Sequence, residues 1–304
     1  MNILVTGATG LLGTALGSRL REGGHRVIPL IRTAASGDAG PTWDPASGQV
    51  HLDPAVPLDA VVHLAGESIA QRWTAGAKAR IRASRVDATC LLSEALALVP
   101  HRPQVLVCAS ATGFYGDRGD EVLDEHSAPG TGFLAEICQA WEAAAAPARD
   151  RGIRVVHLRL GIVLARQGGA LARMLPAFRL GLGGRLGSGR QFWSWIVLED
   201  VLRVMELALR DDRMSGAVNT VAPGAATNAG FTAALSRALH RPAFLPVPAP
   251  VVRTVFGEMG RETLLASSRV RPARLLEAGF RFRFPDLDTA FSHLLAADTH
   301  NRDG

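Results

Sequence analysis

A short glycine-rich stretch near the start of the chain constrains the fold more than any other segment. The apolar run from Ile3 to Val5 leads directly into Gly7, Gly10 and Gly13, spaced Gly-x-x-Gly-x-x-Gly. After the turn, leucines recur every four residues on one stripe, which is typical of an amphipathic helix; they are Leu12, Leu16 and Leu20. A strand, a glycine turn and a helix in this order are what a dinucleotide-binding site requires.

Each of the three glycines has a predicted role. Gly7 permits a tight turn, Gly10 lets the backbone approach a pyrophosphate, and Gly13 lets the helix pack closely on the strand. The free N–H groups and the dipole at the helix N-terminus favour an anion at this place. The alternative is an ordinary strand-to-helix turn that happens to contain three glycines.

Apolar runs alternate with helical patterns through the first half of the chain, which predicts a parallel sheet wound on both faces. Strands are predicted at 26–31, 50–52, 60–65, 105–109 and 153–160, and long helices at 75–99 and 131–149. The predicted fold class is therefore α/β, a Rossmann-type doubly wound parallel sheet with a smaller, mostly helical C-terminal substrate lobe.

The local composition of the sequence changes after Gly161, because seven glycines fall within residues 168–189. We predict a dinucleotide-binding domain at 1–165, with 196–222 returning to it as a helix and a strand. The substrate lobe is predicted at 166–195 and 223–296, over the carboxyl ends of the strands, and 297–304 is a tail. Its helices are expected at 228–240, 249–266, 272–278 and 286–296.

Composition and charge exclude several classes of protein. The 304 residues are 47% hydrophobic, so they can bury a large core. The net charge of +5 is scattered rather than gathered in a basic block, so we expect no nucleic-acid partner. No apolar run approaches ~20 residues, so we expect no membrane span, and we expect no signal peptide.

Cysteine and histidine usage points to the cytoplasm and to no metal. The three cysteines form no Cys-x-x-Cys pair, which fits a reducing compartment. The nine histidines show no spacing typical of metal ligands. We therefore predict a cytoplasmic protein without a metal site.

Arg32 at the end of the second predicted strand bears on the choice of cofactor. An NAD site usually has an acid there, which binds the ribose 2′-hydroxyl. Here Thr33 follows the arginine, and the next acid is Asp38. Because the guanidinium fork matches a phosphate, the sequence favours NADP over NAD. The alternative is that Arg32 simply faces solvent.

Small residues follow the buried strand at 60–65. Leu64, Ala65 and Gly66 would let the adenosine and ribose lie close to the backbone. We interpret His63 as a packed strand residue rather than a catalyst. The next predicted helix carries four cations, most of which are expected to face solvent; they are Lys78, Arg80, Arg82 and Arg85.

Several longer stretches together resemble a known family. They include GATGLLG, HLAGESI, ASATGFYGDRGDE, FLAEICQAWE, GLGGRLGSGRQF and GAVNTVAP, and they span almost the whole chain. They resemble the extended short-chain dehydrogenase/reductases, and more closely the atypical NAD-dependent epimerase/dehydratase-like proteins of a cell-division-inhibitor-like branch. The resemblance implies a Rossmann-type fold, NADP(H) binding and a C-terminal substrate lobe. It also implies that Arg32, Leu64, Ala65, Arg85 and Val163 contact the cofactor.

The glycine turn, the strand ends and this resemblance together define a candidate cofactor site. Its residues are Gly7, Thr9, Gly10, Leu11, Leu12, Gly13, Arg32, Leu64, Ala65, Gly66, Arg85, Ala109 and Val163.

The catalytic pair of the wider superfamily is missing from this chain. That pair is a tyrosine with a lysine four residues later, whose charge lowers the tyrosine pKa for proton exchange during hydride transfer. The single tyrosine here is Tyr115 and the single lysine is Lys78. Phe133 or Leu134 stands in the place of the tyrosine, and Cys138 lies near the place of the lysine.

Ser110 and Tyr115 are the candidate catalytic residues. Ser110 could hydrogen-bond a substrate carbonyl, or it could cap the end of its strand. Tyr115 could donate a proton, or it could line the wall of the binding site. Asp117 and Glu136 are possible acids, although turn and helix-surface roles are favoured for them.

The segment after the glycine-rich stretch also leaves alternatives open. Arg190 and Gln191 could contact an anionic substrate or form an exposed loop. Trp193 and Trp195 would share one face of a strand, so both could line a cleft or both could pack into the core.

Two functions are consistent with these residues. The first is an NADP(H)-dependent reductase, or an epimerase that oxidises and re-reduces a small-molecule substrate. The second is a non-catalytic NADP(H)-binding sensor or partner-binding protein. The missing tyrosine–lysine pair favours the second, whereas Ser110, Tyr115 and the 183–195 segment favour the first; the fold alone does not decide. A sugar-nucleotide epimerase proper is least favoured, because its chemistry depends most on the missing tyrosine.

Overall fold

The structure is a computed structural model that describes residues 1–32 and 40–299. Thr33 and Asp38, on which part of the cofactor prediction rests, lie outside the described residues. The strands are β1 Asn2–Thr6, β2 Arg26–Arg32, β3 Thr42–Asp44, β4 Gln49–His51, β5 Ala60–His63, β6 Val105–Ala111, β7 Val122–Leu123, β8 Arg154–Leu160, β9 Ile162–Ala165, β10 Phe192–Trp193, β11 Trp195–Val197, β12 Gly216–Thr220, β13 Ala226–Thr227 and β14 Arg269–Val270.

The helices lie between and after these strands. They are α1 Leu11–Glu22, α2 Ala75–Ala83, α3 Val86–Leu98, α4 Phe133–Ala143, α5 Ala146–Asp150, α6 Gly169–Arg179, α7 Leu198–Arg210, α8 Asn228–Leu239, α9 Ala249–Met259, α10 Ala273–Glu277 and α11 Leu287–Thr299. A 3₁₀ turn spans Thr112–Tyr115, and a π-helical turn spans Gly260–Leu264. Among the helices of the described residues, none is both long and apolar enough to cross a membrane.

The main sheet has eight strands in the order β12-β8-β6-β5-β1-β2-β3-β4. The strands from β6 through β5, β1 and β2 to β3 pair in parallel, whereas β4 pairs antiparallel to β3 at the edge. Parallel strands are usually joined by helical crossovers, and the alternation of apolar runs with helical patterns encodes them. The predicted α/β class and Rossmann-type sheet are confirmed.

The chain divides into two compact units. The first unit comprises 1–110, 136–158 and 202–218, and the second comprises 111–135, 159–201 and the chain from 219 onward. The core of the first unit gathers strand residues such as Leu4, Val61 and Leu106 with helix residues such as Leu92. The core of the second unit gathers Trp193, Trp195 and residues of α6, α8 and α11.

Strand β3 was not predicted, because the surrounding 34–58 segment is rich in turn-forming residues. The strand holds one inward side chain, Trp43, which is 3% exposed and packs with Ile28 and Leu30. Three residues are too few to show an alternating pattern, so the sequence carries no periodic signal for it.

The single helix predicted over 75–99 is wrong, because the chain breaks at Ser84 and Arg85 between α2 and α3. The Ser84 hydroxyl donates to the Ile81 carbonyl at 3.1 Å and accepts the Glu67 N–H at 3.0 Å. A side chain that bonds to the backbone in this way competes with helical hydrogen bonds.

Two other predicted helices are also interrupted. The 131–149 helix ends at Ala143 and restarts at Ala146, because Pro147 has no N–H to donate to the Ala143 carbonyl and its ring would clash with that carbonyl in a continuous helix. The 249–266 helix contains Gly257 at φ 60° and continues as the π-helical turn.

Candidate functional site

The turn between β1 and α1 has the geometry that its glycines predict. Gly7 adopts φ 65°, in the left-handed region that favours glycine. The Gly10 N–H donates to the Gly7 carbonyl at 3.0 Å and closes the turn. A Cβ on Gly13 would lie 2.2 Å from the Gly7 carbonyl oxygen. Gly13 is therefore required by the turn itself as well as by the packing of the helix.

The N-terminus of α1 suits a bound anion. Gly10 is the N-cap residue, no side chain caps the helix, and its first turn holds no acid. The first N–H groups of a helix lack partners within the helix, so they can donate to a phosphate. Gly10 is exposed, and a Cβ on it would meet the Gly7 oxygen alone, at 3.3 Å. The turn thus fits the pyrophosphate that the sequence predicts.

The backbone after β5 lies directly against this turn. A Cβ on Gly7 would be 2.8 Å from the carbonyl carbon and oxygen of Leu64. The N–H groups of Leu64 and Ala65 both donate to the Thr6 hydroxyl oxygen, at 3.1 Å each. Thr6, the last residue of β1, therefore ties together two segments that were assigned separately to the cofactor.

His63 belongs to the same hydrogen-bonded network. Thr6 Oγ1 lies 2.7 Å from His63 Nδ1, and since this oxygen already accepts two N–H groups, its own proton goes to the imidazole. His63 Nε2 then donates to Thr89 Oγ1 at 2.9 Å, which also accepts the Trp141 indole N–H. Burial lowers the His63 pKa to about 4. The interpretation of His63 as a packed strand residue is confirmed.

Arg85 lies next to Gly66, another residue of the candidate cofactor site. Its guanidinium atoms lie 3.4–3.6 Å from where a Cβ on Gly66 would be. The guanidinium carbon is 5.2 Å from the centre of the Trp141 ring, and Nη1 donates to the Ile81 carbonyl at 3.3 Å. The break between α2 and α3 gives this side chain its position, because Arg85 is the N-cap residue of α3.

Arg32 ends β2 and is exposed. In the pairing of β1 with β2, Leu30 lies opposite Thr6, so Arg32 lies two residues beyond the end of β1. It stands at the edge of the sheet where the glycine turn begins, as a contact to a ribose phosphate requires.

Ser110 lies at the same edge, near the end of β6. Cys108 pairs with His63, so Ser110 lies beyond the point where β5 ends, and Ala109 precedes it in the strand. Ser110 is 2% exposed, and its hydroxyl donates to Glu142 Oε1 at 2.7 Å. Sequence reasoning did not identify Glu142. The available signal was its position four residues after Cys138, on the same face of α4.

Tyr115 lies in the second unit with its hydroxyl surrounded by polar partners. The oxygen lies 2.7 Å from Asn219 Oδ1 and 2.8 Å from the Asp124 carbonyl, and Arg159 Nη1 donates to it at 3.0 Å. Burial raises the Tyr115 pKa, against the opposing influence of Arg159. The proton-donor role of Tyr115 stays a prediction, and this enclosed environment weighs against it.

At the start of α4, where the superfamily has its tyrosine, this chain has a hydrogen-bonded carboxylate instead. The carboxylate of Glu262 accepts the N–H groups of Phe133 at 3.3 Å and Leu134 at 3.1 Å. A Cβ on Gly132 would lie 2.9 Å from Glu262 Oε1. A carboxylate from the π-helical turn therefore caps α4, an acceptor that no local sequence signal identifies.

The segment after the glycine-rich stretch is largely buried. Trp193 and Trp195 are 4% and 0% exposed within the second unit, so the core alternative is confirmed. The Gln191 amide donates to the carbonyls of Leu186 and Leu264, at 3.0 and 3.1 Å, while Arg190 is exposed. Val163 lies in β9, half-buried and opposite Ile196 of β11.

Comparison with known proteins shows the family. The model of the NAD-dependent epimerase/dehydratase family matches residues 3–221. The chain belongs to this family. A domain of unknown function, DUF1731, matches residues 247–294, which include α9 to α11 apart from the last residues of α11. The family prediction is confirmed, while its cell-division-inhibitor-like branch stays a prediction.

Similar proteins cover nearly the whole chain. An epimerase family protein of Mycobacterium bovis is 43% identical over 292 residues, which is 96% of each chain. The crystal structure of human epimerase family protein SDR39U1 with NADPH is 38% identical, with a TM-score of 0.89 over 97% of this chain and 99% of that one. A nucleoside-diphosphate sugar epimerase from Corynebacterium glutamicum is 35% identical, with a TM-score of 0.79 over 100% of this chain and 60% of that one.

Proposed function

We propose that this protein is an NADP(H)-dependent oxidoreductase or epimerase of the short-chain dehydrogenase/reductase type. The observation that carries the proposal is the glycine turn: an uncapped helix N-terminus, open at Gly10, held against Leu64 and Ala65 through Thr6. A helix start without a side-chain cap or an acid suits a diphosphate. The human relative crystallised with NADPH supports the same cofactor.

The preference for NADP rests on Arg32. It is exposed at the end of β2, where this fold places the 2′ position of the adenosine ribose. The guanidinium can bind a phosphate with two parallel hydrogen bonds, whereas an NAD site uses an acid there. Arg85, beside Gly66, adds a second cation near the cofactor segments.

The chemistry follows from the residues at the carboxyl edge of the sheet. A bound nicotinamide nucleotide supplies or accepts a hydride. Ser110 would hold the oxygen of a substrate carbonyl or hydroxyl, which fixes the carbon that reacts. We therefore propose a small-molecule substrate with a carbonyl or secondary hydroxyl group, and no nucleic-acid or membrane partner. A reducing cytoplasm fits the three free thiols.

Titration calorimetry with NADPH and NADH tests the cofactor assignment. We expect NADPH to bind more tightly, and a chain that binds neither nucleotide would refute the proposal. Oxidation of NADPH is then followed with a panel of aldehydes and ketones that includes benzil and phenanthrenequinone. Turnover of any member supports an oxidoreductase.

The second candidate is a non-catalytic NADP(H)-binding sensor or partner-binding protein. It is favoured by the missing tyrosine–lysine pair and by the buried Tyr115 hydroxyl, whose surroundings hold three polar partners. Tight NADPH binding, with no turnover of any compound in the panel, would support this function.

A further inference from the structure

A pair formed by the buried Ser110 and the half-buried carboxylate of Glu142 lies at the edge of the sheet, in the first unit. Ser110 Oγ and Glu142 Oε1 are 2.7 Å apart, within the range of strong hydrogen bonds to a carboxylate. Ser110 comes from β6 and Glu142 from the third turn of α4, two elements with separate places in the sequence. The family's usual proton-exchanging pair has no counterpart here, so any reaction needs another path for the proton.

The direction of this hydrogen bond bears on what the pair can do. A serine hydroxyl has one proton and two acceptor lone pairs. Here the proton is directed to Glu142, so the lone pairs of Ser110 Oγ remain for a donor. A substrate hydroxyl is such a donor, whereas a carbonyl could be bound only after Glu142 carries a proton and donates it to Ser110.

We propose that Glu142 is the positioning residue of this site, which exchanges the substrate proton through the hydroxyl of Ser110. The proposal rests on the proposed function and deepens it. Ser110 is the catalytic residue that contacts the substrate oxygen, and Glu142 holds the proton at the far end of the relay.

The atoms and electrons balance in both directions. In oxidation, the O–H bond of the substrate alcohol breaks and its proton passes to Ser110 Oγ, while the proton of Ser110 passes to Glu142. The C–H bond breaks as a hydride leaves to NADP⁺, so the alcohol becomes a carbonyl and the nucleotide is reduced by two electrons. Reduction of a carbonyl by NADPH is the reverse, with the proton coming from Glu142 through Ser110.

The other ionisable groups around this part of α4 are less suited than Glu142 to exchange the substrate proton. Cys108 of β6 faces the carboxylate, and burial, followed by the Glu142 charge, raises its pKa to about 12. Cys138 lies one turn before Glu142 and close to Arg85, which stands at the junction of α2 and α3. An arginine does not release its proton in proteins. The carboxylate is thus the acid–base group suited to the relay.

The activity test compares Glu142→Gln with Glu136→Gln. Glutamine keeps the shape and an acceptor for Ser110 but cannot exchange a proton, and Glu136 is exposed on the same helix. Phenanthrenequinone and benzil serve as carbonyl probes with NADPH. Because the relay exchanges protons through Glu142, we expect the pH profile of turnover in Glu142→Gln to differ from that of the wild type. In Glu142→Gln we also expect the rate to fall by about 10²–10⁴-fold, with NADPH affinity unchanged.

A second measurement needs neither cofactor nor turnover. Carbon-13 NMR of protein labelled at the glutamate carboxyl carbons identifies the Glu142 resonance as the one missing from Glu142→Gln. We expect this resonance to move in Ser110→Ala, which removes the donor. It should stay in place in Thr112→Val, which removes a hydroxyl two residues away.

The outcomes separate the relay from the proposed function. A chain that does not bind NADPH refutes the proposed function, while the Glu142 resonance still reports whether the pair exists. If Glu142→Gln turns over with wild-type rate and pH profile, the relay is wrong although the oxidoreductase remains. A resonance unaffected by Ser110→Ala, or a wild type that binds NADPH but reacts with no probe, also overturns the relay.

Discussion

Thr6 Oγ1 lies 2.7 Å from Nδ1 of His63, across the neighbouring ends of β1 and β5. The same oxygen accepts the N–H groups of Leu64 and Ala65, so one threonine connects the glycine turn to the next segment of the candidate cofactor site. The imidazole is fully buried and accepts the threonine proton, which requires it to be neutral. The geometry of the candidate cofactor site therefore depends on the charge state of a residue with no expected catalytic role.

We predict that His63 makes the protein sensitive to acid. Burial lowers its pKa from the ordinary 6.5 to about 4. As pH falls below 6.5, the His63 imidazole binds a proton in the unfolded chain but stays neutral in the folded chain. The contribution of the neutral imidazole to the free energy of unfolding is therefore present above pH 6.5 and is lost as pH falls toward 4. Relative to a variant without the imidazole, the free energy of unfolding should fall by about 3 kcal/mol.

Urea unfolding at several pH values between 7 and 4 measures this effect. His63→Gln keeps one acceptor and one donor but does not titrate, so its stability should fall less with acid than that of the wild type. His51→Gln, at the exposed end of β4, is the control and should follow the wild type. If the free energy of unfolding falls equally with pH in the wild type and in His63→Gln, the His63 imidazole is not the cause of the acid sensitivity.

Arg32 should select NADPH over NADH. Because the guanidinium would bind a phosphate that NADH lacks, Arg32→Ala should weaken NADPH binding by about 1.5–3 kcal/mol, as for other hydrogen bonds to charged groups, and leave NADH binding almost unchanged. Titration calorimetry measures both affinities. Arg26→Ala, at the exposed start of the same strand, is the matched control. Equal or tighter binding of NADH by the wild type would contradict the preference.

Gly10 and Gly13 should differ in what their substitution destroys. Gly10 is exposed, and a Cβ on it would lie 3.3 Å from the Gly7 oxygen, a contact that a small shift relieves. Gly10→Val should therefore fold and yet block the approach of the pyrophosphate. A Cβ on Gly13 would lie 2.2 Å from the same oxygen, so Gly13→Ala should destabilise the fold itself. NADPH fluorescence and thermal unfolding separate the two effects. Normal NADPH binding by Gly10→Val would mean that this turn does not hold the phosphates.

Tyr115→Phe should destabilise the protein. The hydroxyl is enclosed with Asn219, Asp124 and Arg159, and its removal leaves their buried polar atoms without this partner. The expected loss in the free energy of unfolding is about 1–3 kcal/mol. Guanidinium unfolding measures it, and an unchanged midpoint would show that the hydroxyl is not held as described.

Sequence patterns predicted the features that depend on local backbone requirements. The Gly7 turn could be predicted because a positive φ and a close approach of backbones both need glycine, whatever lies around them. The strand at Ala60–His63 could be predicted because a strand buried on both faces is a continuous apolar run. The break at Ser84 escaped prediction, since a serine that bonds to Ile81 and Glu67 looks the same as one on a helix surface.

The candidate site shows the same division. The sequence by itself determined the Rossmann-type sheet, the glycine turn and the arginine at the end of β2, because each follows from residues adjacent in the chain. Tertiary structure alone decided that Glu142 meets Ser110, that Glu262 caps α4 and that Tyr115 lies against Arg159. Each of these contacts joins residues more than thirty positions apart, and a side-chain hydrogen bond at such separation leaves no periodic pattern in the sequence, because it exists only once packing has brought the two elements together.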